Sequence, residues 1–171
     1  VARDVGIYTF HGFCDYVLKN WAAYFPSWNT KRLAGDVEAA LLWREVIEHA
    51  QVVHLRPPKS PFMYLHELSR LYGDLTRERV TLEQYLAWAR EEEDRIKADE
   101  GNYYTRDSKY GKKGDFKPDG TKKLERLEKV YEAVALFEAY EERKDREGVY
   151  DFNDVLRGVV DALQSDEALC A

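Results

Sequence analysis

The sequence predicts an all-α fold, a helical bundle of about six helices with one short N-terminal strand and a long basic loop. In several stretches apolar residues recur at i, i+3, i+4 and i+7, bounded by capping residues, proline or glycine. Only one run, Val5 to Phe10, favours a β-strand, and it is too short to build a sheet by itself. A hydrophobic content of 44% in 171 residues fits one domain with a real core.

The N-terminal third contains the strand, assigned to residues 1–10, and two helices. The helical pattern begins at His11 and ends at Pro26, because proline cannot continue a helix. Residues 26–35 form a connector. Asp36 is then the expected N-cap of the second helix.

The middle of the chain has two further helix starts. Ser60 and Pro61 supply a cap and a first-turn proline for the third helix, and Gly73 is its expected end. The run Thr81 to Gln84 is a capping box that begins the fourth helix. Residues 101–121 are rich in Gly, Lys and Asp without periodicity, which predicts a long mobile loop.

The C-terminal third carries the longest helix, from Lys122 to about Glu147. Residues 133–137 are apolar nearly all round, so this helix should be central to the bundle. Gly148 ends it, and Asp151 caps the last helix with Asp154 three residues on. The charged runs 91–94 and 141–145 are predicted to be solvated helix faces.

Composition limits the class of protein. The net charge of −6 means that any binding of nucleic acid must be local. Cys14 and Cys170 lie near opposite ends without CxxC spacing, which argues against a disulfide framework and favours a cytoplasmic protein. No secretory signal or run of about 18 apolar residues occurs, so we expect no membrane partner. Because the chain begins at Val1 and its one methionine is Met63, we expect a piece of a longer protein.

Motifs for nucleotide hydrolysis are absent from the sequence. A phosphate loop needs four residues between its glycines and a following Lys, whereas five residues separate Gly114 from Gly120 and Thr121 follows. Asp166 and Glu167 lie in a polar tail, without the apolar strand that places a magnesium ligand. We therefore expect no catalytic residues in this chain.

Metal and hydrolase motifs are also absent. His49 lies four residues after Glu45, not the three of a di-iron E-x-x-H motif. His66 begins an HExxH-like string that meets Arg70 instead of histidine. No G-x-S-x-G nucleophile motif appears. We expect no metal site.

Two short segments resemble one family. The run "VGIYTFHGFCDYVL" is similar to the V-x-T-F-H-S-F motif of UvrD/Rep-type superfamily 1 DNA helicases, and "EAYEERKDREGVYDFNDVL" resembles their Y-x-x-Y…G-x-x-D-F-D-D-L-L segment. The two occur in the family's order, and Asn153 stands where Asp is commoner. The resemblance implies that residues 1–171 are the helical 1B subdomain of an ATP-dependent 3′-to-5′ DNA helicase. Residues 1–10 would then belong to a missing ATPase domain, and the parent would use ATP and Mg.

The resemblance also implies DNA contacts. In the family, the Thr and His of T-F-H face the tracked single strand, which places Thr9 and His11 on DNA. The alternative is that Thr9 caps the next helix and His11 fills its first turn. Phe10 and Phe13 could stack on bases, but core packing is the favoured interpretation of these two residues. In residues 103–123, seven basic side chains face three acidic ones, giving a net charge of +4. The seven are Arg106, Lys109, Lys112, Lys113, Lys117, Lys122 and Lys123.

Aromatic residues interleave with these charges, which suits contact with phosphates and with bases or sugars. In the family this subdomain leans over the duplex ahead of the fork. The predicted function is therefore an accessory DNA-contacting subdomain, whose partners are single-stranded and duplex DNA and the remaining helicase domains. Two alternatives are a solvated, disordered loop and, for the whole chain, a stand-alone helical protein-interaction module that binds no nucleic acid.

Overall fold

The computed structural model describes residues 6–26, 28 and 30–166, and of His11 only the backbone. This part of the chain confirms the all-α class, with six helices, two short 3-10 turns at Ala22–Tyr24 and Glu100–Asn102, and one two-stranded sheet. The elements are α1 (Phe10–Asn20), β1 (Arg32–Leu33), α2 (Asp36–His49), α3 (Leu65–Arg77), α4 (Leu82–Ala98), α5 (Pro118–Glu147), β2 (Val149–Tyr150) and α6 (Phe152–Ser165).

Helix α5 is the centre of the bundle, as its apolar residues predict. Its Leu136, Phe137 and Tyr140 are fully buried. Trp43 of α2 stacks on Tyr140 with ring centroids 4.1 Å apart, and Tyr72 of α3 meets the same ring edge-on at 5.4 Å. These contacts place helices α2 and α3 against the C-terminal half of α5.

A second, smaller core joins α1 to α6. Cys14 and Val17 of α1 are buried together with Val155 and Val159 of α6. Burial raises the pKa of the Cys14 thiol. The two segments that carry the helicase-like motifs are therefore packed against each other.

The strand expected within residues 1–10 is not found in its described part. Residues 6–9 have no regular secondary structure and Phe10 already belongs to α1, while residues 1–5 lie outside the described residues. An isolated strand needs a neighbour for its backbone groups, and among the described residues no strand pairs with residues 6–9. The parallel pair β1–β2 was not predicted, and it places Arg32 opposite Val149.

Three predicted helix boundaries are confirmed. Thr81 and Gln84 form a capping box at α4, and Asp151 and Asp154 form another at α6. Gly148 ends α5 in the left-handed region, with φ at +63°. These positions combine a capping side chain or a glycine with a clear change in apolar pattern, which is why the sequence predicts them.

Other boundaries were wrong. Helix α1 ends at Asn20, six residues before the predicted end at Pro26. Helix α3 begins at Leu65 rather than after Pro61, and it continues through Gly73 to Arg77. Gly73 is buried because Asn153 of α6 packs on it, and an added Cβ would lie 3.3 Å from the Asn153 Oδ1 atom. Glycine here allows close helix packing and does not end the helix. Gly35, rather than Asp36, is the N-cap of α2.

The irregular segment between α2 and α3 is fixed by one carboxylate of α5. Glu132 accepts backbone hydrogen bonds from Val53, His54 and Leu55 at 2.8–3.1 Å, and its Oε1 atom lies 2.9 Å from His54 Nδ1. Burial alone raises the pKa of this carboxyl, but the hydrogen bonds outweigh it and hold the pKa below its usual range. Among the described residues, no helix has the length and apolarity needed to cross a membrane.

Candidate nucleic-acid interface

The predicted basic loop is a folded hairpin. Residues 103–117, here called the basic hairpin, carry antiparallel bridges between Tyr103 and Phe116 and between Ser108 and Gly111. Tyr104 donates its backbone N–H to Asp115 at 2.9 Å. The segment is shorter than the predicted 101–121, because α5 begins at Pro118 rather than at Lys122. The proline fits its first turn, where no N–H is needed.

Three of the hairpin's four aromatic rings pack inside it. Tyr103 and Phe116 meet edge-on with centroids 4.8 Å apart. The Phe116 ring also covers Gly120, where an added Cβ would lie 2.6 Å from it, and Tyr104 covers Gly111 at the same distance. The glycines are required because the rings approach the backbone closely. These rings are the internal core of the hairpin.

The hairpin's two carboxylates bind its own backbone. Asp107 Oδ1 accepts the N–H of Lys113 at 2.8 Å, and Asp115 Oδ2 accepts the N–H of Lys112 at 2.7 Å. These hydrogen bonds stabilise the turn of the hairpin. Neither carboxylate forms an ion pair within the described residues.

Of the seven predicted basic residues, three have an oxygen partner in this chain and four form no ion pair among the described residues. Lys117 and Lys123 anchor the base of the hairpin, since their Nζ atoms donate to Gly101 O at 2.7 Å and to Asn102 Oδ1 at 3.3 Å. Lys122 lies 4.0 Å from Asp119. The remaining four are exposed and make no ion pair within the part of the chain that the structure describes: Arg106, Lys109, Lys112 and Lys113.

At the other candidate site, Thr9 is the N-cap of α1. Its Oγ1 atom accepts the N–H of Gly12 at 3.1 Å, which confirms the capping role. The hydroxyl proton can still be donated, so capping and an outside contact are compatible. The side chain of His11 lies outside what the structure describes. Phe10 and Phe13 are 86% and 42% exposed, so within the described residues the prediction that they pack in the core is wrong.

Thr9 and Phe10 line a groove of about 450 Å³ between the start of α1, the end of α3 and α6. Three arginines, Arg77, Arg79 and Arg157, line the same groove. All three are paired with carboxylates; Arg79, for example, lies 2.5 Å from Asp161 Oδ1. Each guanidinium has five donors and uses only some of them here.

A buried ionic cluster lies beneath this groove. Lys144 is 1% exposed, and its Nζ atom lies 2.6 Å from Asp154 Oδ2 and 3.0 Å from the Tyr72 hydroxyl. Asp154 Oδ1 in turn accepts from Arg157 at 3.1 Å. Burial lowers the pKa of Lys144, but the carboxylates of Asp151 and Asp154 outweigh burial and raise it. Tyr140 donates to Asp151 at 3.1 Å.

The cluster was missed because residues 141–145 were predicted to be a solvated face. That prediction was wrong for Lys144. The sequence did contain a signal: Phe137, Tyr140 and Lys144 follow the spacing i, i+3, i+7, so the lysine lies on the apolar stripe of α5. A cation in that position needs buried anions, and the start of α6 supplies them.

The predicted site residues form two patches. The hairpin joins α5 at Lys117, near the start of that helix. The groove lies beside α6, and the first turn of α6 is bonded to Lys144, near the end of α5. A rise of about 1.5 Å per residue puts these two levels of α5 roughly 40 Å apart. No group of three or more His, Cys, Asp or Glu side chains among the described residues is placed to hold a metal ion.

Comparison with known proteins identified a family. The family model of the UvrD/REP helicase N-terminal domain matches residues 1–171. No curated protein and no solved structure matches the chain.

Proposed function

Because this chain belongs to the UvrD/REP helicase N-terminal domain family, we propose that it is an accessory DNA-contacting subdomain of an ATP-dependent DNA helicase. The parent enzyme moves 3′ to 5′ and uses ATP with Mg. Its other helicase domains, and DNA at a fork, are the partners of this chain. The chain by itself carries no catalytic residues and hydrolyses no ATP, which a phosphate-release assay with and without DNA would test.

The charge of the basic hairpin is the observation that carries the proposal. Five basic side chains face two acidic ones there, a net charge of +3 in a chain whose total is −6. Both carboxylates are used by the hairpin's own backbone. The cations of Arg106, Lys109, Lys112 and Lys113 are consequently available to phosphates, whose neutralisation supplies most non-specific affinity for DNA.

The separation of Lys117 and Lys144 along α5, next to which the two patches lie, supports contact with two parts of one DNA molecule. Roughly 40 Å along α5 corresponds to about twelve base-pair steps at 3.4 Å each. We assign the single strand to the α1 end, where Thr9 and His11 lie, and the duplex to the basic hairpin. Lys117, Lys122 and Lys123 at the base of the hairpin add positive charge to the duplex contact.

Titration of a labelled DNA fork, followed by fluorescence anisotropy at several salt concentrations, tests the proposal. We expect weak binding whose logarithm falls linearly with the logarithm of salt concentration. The double variant Lys112→Gln, Lys113→Gln should bind less tightly, with a slope smaller by about 1.8, since each lost phosphate contact removes about 0.9. Both lysines are exposed, so the fold should be unaffected.

The matched control is Lys59→Gln, Arg146→Gln, which changes the net charge equally at two exposed residues outside the hairpin. It should leave the slope unchanged. An equal effect of both double variants would contradict a local contact. Failure of the unaltered chain to bind the fork even at low salt would favour the other candidate, a helical module that docks a protein partner through its acidic faces.

A further inference from the structure

The tip of the basic hairpin presents one aromatic ring to solvent. Tyr110 is 74% exposed, and it is the one aromatic residue of the hairpin that does not pack inside it. Its position is fixed by the tight turn from Ser108 to Gly111. Ser108 Oγ accepts the N–H of Tyr110 at 3.1 Å, and Ser108 N–H donates to Gly111 O at 2.9 Å.

A cation lies against this ring. The Nζ atom of Lys109 is 4.7 Å from the centroid of Tyr110, within the range of a cation–π contact. The contact orients the ring and uses one of its faces, while the high exposure leaves the rest of the ring accessible. A large apolar surface held by an ordered backbone loses little conformational entropy when it binds a flat partner.

From this arrangement we propose that Tyr110 stacks on a nucleobase while the neighbouring lysines hold phosphates of the same DNA. The inference rests on the proposed function and names the hairpin residue that contacts a base. Base faces are accessible where a duplex ends and in the unpaired nucleotides next to a duplex, so a hairpin that holds the duplex can reach a base from one of these two sources.

The surrounding charge favours DNA over an apolar protein pocket as the partner of the ring. Lys109 contacts Tyr110, and Lys112 and Lys113 follow in the chain without ion pairs among the described residues. An apolar pocket closing over the ring would have to desolvate these ammonium groups without compensation. A nucleotide carries both a flat base and an anionic phosphate. The base can stack on Tyr110 while the phosphate pairs with the lysines.

The test compares Tyr110→Ala and Tyr110→Phe with the control Trp88→Ala, which removes a half-exposed ring from α4, outside the hairpin. Each is titrated against a single strand, a fork and a blunt duplex that carry 2-aminopurine, whose fluorescence is quenched when the base stacks. We expect Tyr110→Ala to weaken binding about 5- to 150-fold, the range of one stacked base. Quenching should be lost and the salt slope kept. Tyr110→Phe should restore the affinity and the quenching. Trp88→Ala should change neither the affinity nor the quenching.

The three DNA molecules distinguish the two sources. Quenching by the single strand and the fork alone assigns an unpaired base, and quenching by the blunt duplex as well assigns a duplex end. Wild-type affinity and quenching in Tyr110→Ala would overturn the inference, as would a loss that phenylalanine does not restore. If Lys112→Gln, Lys113→Gln still lowers the salt slope in that case, the proposed function stands and only the stacking is wrong.

Discussion

Replacing Lys144 by methionine tests the buried cluster that joins α5 to α6. Methionine keeps an unbranched side chain of similar length but removes the cation. Asp151 and Asp154 then remain 6% and 5% exposed with less positive charge around them. Removing one partner of a buried ion pair costs about 3–5 kcal/mol. Domains of this kind are stable by only about 5–15 kcal/mol, so the variant should lose a large share of its free energy of unfolding.

Urea denaturation, followed by tryptophan fluorescence and circular dichroism, measures this loss. With a slope of about 2 kcal/mol per molar urea, the midpoint should fall by roughly 2 M without a change in slope. The control Lys97→Met removes an exposed lysine paired with Glu93, and its midpoint should barely change. Adding Asp154→Asn to Lys144→Met should recover part of the loss, because one unpaired anion is then neutral.

The pH dependence of Lys144→Met has a definite sign. The pKa of Lys144 in the folded chain is raised above its ordinary 10.5. Its stabilising contribution is therefore complete below that ordinary value and is lost as the pH rises through the folded pKa. The difference between wild type and Lys144→Met should be constant from pH 7 to 10 and shrink only above about pH 10.5. A loss below about 1 kcal/mol at pH 7 would refute the assignment of Lys144 as a buried, charged partner.

Two further changes test the fold around the site. Glu132→Gln should cost about 2–3 kcal/mol at pH 7, because it removes the charge that accepts backbone N–H groups at residues 53–55. The pKa of Glu132 is lowered in the folded chain, so its contribution to stability is complete above the ordinary value of 4.5 and is lost as the pH falls through the folded pKa. The difference in urea midpoint between wild type and Glu132→Gln should therefore disappear in acid. An unchanged gap at pH 3 would contradict that role. Gly148→Ala forces a side chain into φ +63° and should cost about 1–2 kcal/mol. Thermal unfolding should show it as a fall of roughly 2–8 °C, and no change would mean that α5 ends differently.

Local signals predicted the number of helices and some of their ends. Capping boxes and the left-handed Gly148 mark boundaries through contacts between neighbours in the chain, and the apolar run in residues 133–137 marked α5 as central. Gly73 was misread because its role depends on Asn153, which lies 80 residues away and packs on it only in the folded chain. The pairing of β1 with β2 is likewise invisible to local patterns.

The site was predicted less completely than the fold. Composition located the basic segment but not its hairpin, because the hydrogen bonds of Asp107 and Asp115 to backbone amides do not follow from charge counting. The same geometry separates Tyr110 from the three rings that pack inside. Lys144 was predicted to be exposed because it is charged. It is buried because it lies on the apolar stripe of α5.

Hydrogen exchange of the chain, alone and saturated with a DNA fork, tests most directly whether the basic hairpin contacts DNA. We expect slower exchange in residues 103–117 and at the start of α1, with the amides of α2 and the middle of α5 unchanged. In Lys112→Gln, Lys113→Gln, protection of the hairpin should fall while that of α1 remains. Saturated binding without any slowing of exchange in residues 103–117 would contradict the account.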